Sequence, residues 1–121
     1  MSEQPTKTVE VVFPQHVNHY GSLFGGEALR MMDTVAFVAA TRYTRRTMVT
    51  KAVTDVEYRA PVHHGEIAEM TAAVVEVGRT SVAVEVEMTA EVLLSGERRS
   101  CGSGRFTFVA IDEDETAVTV R

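Results

Sequence analysis

The sequence predicts an α+β fold: one long, mostly enclosed helix wrapped by a curled antiparallel sheet of five to six strands. Two observations carry this. The run from Glu27 to Arg42 contains no Pro or Gly and is rich in Ala, Leu and Met, which is the composition of a helix. After it come four or five β-branched segments with no second helical run among them. One apolar helix and one sheet can bury their surfaces only against each other. At 121 residues the chain suffices for one domain with a real core and not for two. The expected unit spans 1–121, with 1–7 and 114–121 at its periphery.

Thr8 to Phe13 is a β-branched and aromatic segment stopped by Pro14, and reads as the first strand. A polar loop, Pro14 to Gly26, leads into the helix, which runs to about Tyr43. A basic turn at Arg45-Arg46 follows. Thr47 to Arg59 is the second strand, ended by Ala60-Pro61, and Val62-His63-His64-Gly65 is a turn. Ile67 to Val77 is the third strand, closed by Gly78. In the fourth, Val82, Val84, Val86, Met88, Ala90 and Val92 alternate with Ser81, Ala83, Glu85, Glu87, Thr89 and Glu91. That pattern gives one buried and one wet face, as in a half-covered antiparallel strand. Gly96-Glu97-Arg98-Arg99 makes a charged turn, Gly104 to Asp112 is the fifth strand, and Ala117 to Val120 adds a short sixth piece. Such a sheet leaves edges to be covered, and a second copy of the chain is a common cover.

The rest of the chain is arranged around the stretch from Asn18 to Asp33. A Gly-Gly pair, Gly25-Gly26, stands directly before the helical run. It lets backbone approach a ligand closely and leaves unpaired N–H groups at a helix N-terminus. Such an end attracts negative charge, including charge that develops in a transition state. On the helix, Glu27, Arg30, Thr34 and Thr41 share a polar stripe, with Met31 and Val38 on its margin. Leu29, Met32, Val35, Ala36, Ala39 and Ala40 fill the other side. Asp33 lies off the stripe, with Leu29 and Phe37 one turn away on either side. It is either a boundary residue paired with Arg30 or a catalytic carboxylate in a semi-apolar site, and the helix alone does not choose.

Composition narrows the function. The chain is 45% hydrophobic and 24% charged, ordinary values for a globular protein. A net charge of −5 argues against a nucleic-acid partner, and no stretch approaches a membrane span. The polar start from Met1 to Thr8 lacks the apolar core of a signal peptide, and the one cysteine, Cys101, fits a reducing compartment. The expected location is cytoplasmic. His16, His19, His63 and His64 show no recurring ligand spacing, so no metal is expected. Cys101 reads as an inert thiol. Arg79, Arg98, Arg99 and Arg105 are the candidates for meeting phosphate groups.

The series Phe13-Pro14, Asn18-x-x-Gly21-x-Leu23-Phe24-Gly25-Gly26 and Met32-Asp33 resembles the active-site signature of the hotdog-fold acyl-CoA thioesterases. The similarity is to the acyl-CoA hydrolase branch that includes the cytosolic brain enzyme and its single-domain bacterial relatives. Val49-Thr50, Arg59-Ala-Pro61-Val62, Gly65, Gly78-Arg79-Thr80-Ser81 and Phe106 to Asp112 follow in order, so the match covers about residues 9 to 113.

The resemblance implies a hotdog fold that dimerises through its sheet, related hydrolases forming trimers of dimers. It also implies hydrolysis of acyl-CoA to a fatty acid and free coenzyme A. No cofactor is implied, coenzyme A being part of the substrate and product. By position, Asn18 would bind the thioester or orient water, and the Gly25 and Gly26 amides would polarise the carbonyl. Asp33 would be base or nucleophile. Phe24, Arg59, Arg79, Thr80 and Ser81 would contact substrate. Three positions depart from the pattern: Ala36 replaces a Thr or Ser, Tyr58 a Phe, and Glu66 an Asp.

A non-catalytic acyl-CoA sensor is the alternative. A hotdog dehydratase would need a Pro-Gly-His-Phe segment that is absent. Asp33 lies eight residues after Gly25, roughly 12 Å of helical rise. A carbonyl resting on the Gly25 and Gly26 amides is therefore out of its reach within one chain. The expected site is shared by two copies.

Overall fold

The computed structural model describes residues 4–121. Five strands and one long helix form in the order β1 (Thr6–Val11), α1 (Gly25–Thr44), β2 (Thr47–Tyr58), β3 (Ile67–Val77), β4 (Ser81–Glu91) and β5 (Arg98–Ile111). All pairings are antiparallel, in the sheet order β1-β3-β4-β5-β2. The expected helix-in-sheet arrangement is present.

The helix packs on the sheet through small and flexible residues. Met31, Met32, Val35, Ala36, Ala39 and Ala40 are buried against Met70, Val84, Val86, Phe106 and Phe108. Two β5 glycines are required by packing within the sheet. A Cβ on Gly102 would stand 2.7 Å from the Glu57 carbonyl oxygen, and one on Gly104 3.1 Å from the Phe106 ring. Met31 is 1% exposed, so it belongs to the buried face and not to the polar margin expected of it. The sheet wraps far enough round the helix to widen its dry side.

The helix is enclosed on one side only. Arg30, Thr34 and Phe37 are exposed, and only Met48 of β2 is buried. β2 is an edge strand twelve residues long with no proline. Val53 on it, opposite the inward-facing Phe106, is about two-fifths exposed, as is Phe37 on the helix. An apolar strand edge and an apolar helix face therefore lie open together.

The chain's fringes are less peripheral than expected. Thr6 is buried within β1, and Val120 is 7% exposed and joins the core; residues 1–3 lie outside the described part. β1 begins two residues earlier than its sequence pattern suggests. β5 begins at Arg98 and not at Gly104, because Arg98 and Arg99 pair with Glu91 and Ala90 across the sheet. The expected sixth strand reduces to a single bridge, Ile111 to Ala117.

Candidate active site

The loop before the helix is built around Asn18. Its side-chain Oδ1 accepts the backbone N–H groups of Tyr20 at 2.9 Å and Ser22 at 3.2 Å. Its own carbonyl accepts the Gly21 N–H, at a φ of 82° that suits glycine. With Oδ1 occupied in this way, the Nδ2 amide is left as the outward donor. Asn18 can thus donate to a carbonyl oxygen, whereas accepting a proton from water is not open to it.

The helix then starts without a side-chain cap. Phe24, half exposed, is the N-cap residue, and the first bond of the helix runs from the Ala28 N–H to the Phe24 carbonyl. The N–H groups of Gly25 and Gly26 are left pointing outward, as helix N-termini require unless something caps them. Both glycines are exposed, and a Cβ on Gly26 would meet nothing within 4 Å. Glycine is needed here for no packing reason within the chain. An apolar cleft of about 350 Å³ opens beside Gly25, lined by Leu23, Ala28, Tyr58, Pro61, Val62 and Met88 among others.

The side chain that holds this end to the sheet is Tyr58, whose hydroxyl donates to the Gly25 carbonyl at 2.8 Å. The Phe usual at this position has no such bond to give. The departure is therefore more than a conservative exchange.

Asp33 sits two helical turns further on, half-buried, and accepts a hydrogen bond from Thr50 Oγ1 at 2.9 Å. The expected pairing with Arg30 does not form. Arg30 turns to Glu10 and Glu27, each at 3.4 Å. Thr50 is the hydroxyl that Ala36 cannot supply. It was legible only as part of a matched dipeptide, although period-2 alternation from buried Met48 puts it on the helix-facing side of β2.

The remaining expected residues divide by location. Arg59 borders the cleft with its stem, but its guanidinium lies on the outer face of the sheet. There it donates to Glu87 at 2.6 Å, Ser100 at 2.8 Å and Ser103 at 3.0 Å. Arg98, Arg99 and Arg105 are likewise held by glutamates. Arg79, Thr80 and Ser81 form the β3–β4 hairpin, where Ser81 pairs with Val109 and Val109 with Val49. The hairpin is thus level with Thr50, two strands away. It shares the Asp33 end of the molecule, whereas Asn18, Gly25 and Gly26 share the Tyr58 end.

A half-buried ion pair steadies the Asn18 loop from behind. Arg99 donates to both carboxylate oxygens of Glu66 and, at 2.6 Å, to the Pro61 carbonyl. Glu66 also accepts the His63 N–H at 2.7 Å, and the Leu23 and His64 N–H groups tie residues 62–64 to the Asn18 loop. Hydrogen bonding to Arg99 holds the Glu66 carboxyl below its ordinary value of 4.5, against a smaller opposing effect of burial. Burial pushes the Cys101 thiol up, and the side chain is fully buried, as an inert thiol should be. No group of three or more His, Cys, Asp or Glu side chains is arranged to hold a metal among the described residues.

The sequence profile of the thioesterase superfamily matches residues 20–95, from the loop before the helix through β4. The chain belongs to the thioesterase superfamily. An uncharacterized acyl-CoA thioester hydrolase of Zymomonas mobilis is 39% identical over 104 residues, which is 86% of this chain and 70% of that protein. Its Bacillus subtilis counterpart YkhA is 33% identical over 109 residues, covering 90% and 63%. The thioesterase-superfamily chain described here is thus shorter than both.

Among solved structures, acyl-CoA hydrolase from Staphylococcus aureus superposes with a TM-score of 0.91 at 27% identity, over 98% of this chain and 73% of that one. It was solved with butyryl coenzyme A, coenzyme A and coenzyme A disulfide. Variants of it with one Asp, one Thr or one Asn replaced by Ala have also been solved. Those three positions are spaced 15 and 17 residues apart in the order Asn, Asp, Thr, as are Asn18, Asp33 and Thr50. A hexameric acyl-CoA thioesterase superposes with a TM-score of 0.92 at 30% identity, over 95% of this chain and 74% of that one. The helix wrapped by an antiparallel sheet is the hotdog fold of these hydrolases.

Proposed function

We propose that this chain hydrolyses the thioester of acyl-CoA to a free fatty acid and coenzyme A, in a site that two copies build together. One observation carries the proposal. Asp33 and Thr50 form a hydrogen-bonded pair on an open apolar face, while the uncapped amides of Gly25 and Gly26 lie about 12 Å along the same helix. Neither half suffices for acyl transfer, and a two-fold pairing along the β2 edges gives each Asp33 a partner's glycines. The spacing shared with the Staphylococcus aureus hydrolase supports the same three side chains as the working set.

In this reading the thioester carbonyl rests against the Gly25 and Gly26 amides and the Asn18 Nδ2 of one copy. These are fixed donors, so they stabilise the developing oxyanion without reorganising. Asp33 of the other copy takes a proton from water as the water oxygen bonds to the carbonyl carbon. The C–S bond then breaks, the coenzyme A thiolate leaves, and the proton is passed on to it. Thr50 holds Asp33 in place by donating to it. Direct attack by Asp33 is the second route. Asn18 presents a donor for the carbonyl, and Thr50 fixes the carboxylate from the side, which favours the base role. Single turnover in heavy-oxygen water separates the routes: the base route labels only the fatty acid, while label in Asp33 requires direct attack.

The reading invokes no cofactor, and it places the protein in the cytoplasm as a dimer or trimer of dimers. A hydrolysis screen across acyl-CoA chain lengths, run beside Asp33→Asn, tests it. Turnover that Asp33→Asn abolishes while acyl-CoA still binds is the expected result. Tight binding of acyl-CoA with no turnover by the unaltered protein would instead make it a sensor.

A further inference from the structure

Tyr58 is the last residue of β2, and its hydroxyl crosses from the sheet to the Gly25 carbonyl on the helix. The ring runs alongside the first turn of α1 as well as bonding to it, since a Cβ on Gly25 would lie 3.6 Å from Tyr58 Cζ. Tyr58 is itself held from behind. Its backbone stands opposite Gly102 in register, and the next N–H, that of Arg59, donates to the Cys101 carbonyl at 2.8 Å. Cys101 is fully buried, so the tyrosine projects from a fixed part of the sheet.

The acceptor that Tyr58 meets is informative. The Gly25 C=O and the Gly26 N–H are the two ends of one peptide plane. The carbonyl points along the helix and the N–H points out of its N-terminus. A helical carbonyl gives one lone pair to the N–H four residues on and keeps a second, which the Tyr58 hydroxyl occupies. A donor on the oxygen draws charge through the amide and leaves its N–H a stronger donor. It also fixes the tilt of the plane. That control is needed here, because the plane joins two glycines in a first turn that no side chain caps, where backbone is least restricted. The Gly25 N–H belongs to the preceding plane and gains nothing by this route.

We propose that Tyr58 is a positioning residue, whose hydrogen bond to the Gly25 carbonyl aims and polarises the Gly26 N–H that meets the thioester oxygen. This rests on the acyl-CoA reading above and goes beyond it by making the two glycine amides unequal. The hydroxyl has one proton, and Gly25 takes it, so Tyr58 acts on the substrate oxygen only through the Gly26 amide.

Tyr58→Phe removes one oxygen atom and keeps the ring. Its kcat for acyl-CoA should fall about three- to tenfold, the worth of one neutral hydrogen bond. KM should stay at the unaltered protein's value, because the amide bond strengthens only as charge develops on the oxygen. Rates are compared well below the melting temperatures of both proteins. A lower melting temperature with unmoved kcat would make Tyr58 a tether alone, and a raised KM with unmoved kcat would make it a ground-state contact. Either result overturns the proposal.

The loss should also follow one chain. In mixed dimers of Asn18→Ala with Asp33→Ala, the unbroken site takes its glycines from the Asp33→Ala chain. Tyr58→Phe added to that chain should slow the mixed dimer by the same factor, and added to the Asn18→Ala chain it should not. Equal slowing from either chain counts against the proposal. Nuclear magnetic resonance reads the peptide plane with no substrate present. In Tyr58→Phe the Gly25 carbonyl carbon and the Gly26 nitrogen should both move upfield, and the Gly25 nitrogen should move less. Unmoved Gly25 carbonyl and Gly26 nitrogen resonances would sink the polarised amide. Resonances that move in a protein that cleaves no thioester would leave the polarised amide standing and sink the hydrolase reading alone.

Discussion

Asp33 accepts one hydrogen bond, from Thr50, and faces an open surface; that geometry sets unequal expectations for the two residues. Asp33→Asn keeps the shape and loses the base, so kcat should fall about a hundred- to ten-thousandfold while acyl-CoA still binds. Thr50→Val removes a donor to a charged acceptor, and its kcat should fall about tenfold, with Thr50→Ser recovering most of the loss. Unchanged turnover in folded Thr50→Val would leave Asp33 without the proposed support. Gly26→Ala isolates the ligand's need from the fold's. A Cβ there meets nothing within 4 Å, and Ala is the better helix former. The variant should melt no lower than the unaltered protein, yet hydrolyse acyl-CoA more slowly because the methyl group stands where the thioester approaches. Full activity in Gly26→Ala would mean that the carbonyl does not rest at these amides.

Among the elements, the loops show most clearly what the sequence could and could not convey. β4 was legible because its alternation is strict and local. The true start of β5 was hidden, since Arg98 and Arg99 read as a turn until Glu91 and Glu66 are placed around them. The helix and its glycines were plain in the sequence. Thr50's bond to Asp33 and Tyr58's to Gly25 depend on sheet register, which no spacing along the chain encodes. The Arg99–Glu66 pair belongs to the same class, and it makes a prediction about acid. The Glu66 carboxyl is held below its ordinary value, first by its hydrogen bonds to Arg99. The stability it contributes is therefore fully present above about pH 4.5 and is lost as pH falls through the folded-state value. Glu66→Gln should lower the denaturation midpoint at neutral pH, and the gap from the unaltered protein should narrow below pH 4.5. A gap that stays constant down to pH 3 would show that the carboxylate's charge contributes nothing there.

At the scale of the whole molecule, the open β2 edge and the separation of Asp33 from Gly25 have one explanation in common. A second copy laid antiparallel along β2 covers Val53 and Phe37, and it brings Gly25, Gly26 and Asn18 of one chain toward Asp33 of the other. Two inactive variants should then rescue each other. In a mixed dimer of Asn18→Ala with Asp33→Ala, one shared site carries both lesions and the other carries neither. Random reassortment makes about half of the dimers mixed, so activity should return to about a quarter of the unaltered protein's. Both parents should be nearly silent alone. The dimers must be dissociated and reassembled, or co-expressed with two different tags and purified through both. Tag-purified mixed dimers should then show about half of full activity, because one of their two sites is intact. The quarter also serves as a check on subunit exchange, since it is approached only as mixing goes to completion. Silence in mixed dimers selected through both tags would place Asn18 and Asp33 in the same chain's site. It would then fall to a fold change large enough to close 12 Å of helix to explain catalysis, and nothing in the packing of α1 permits one.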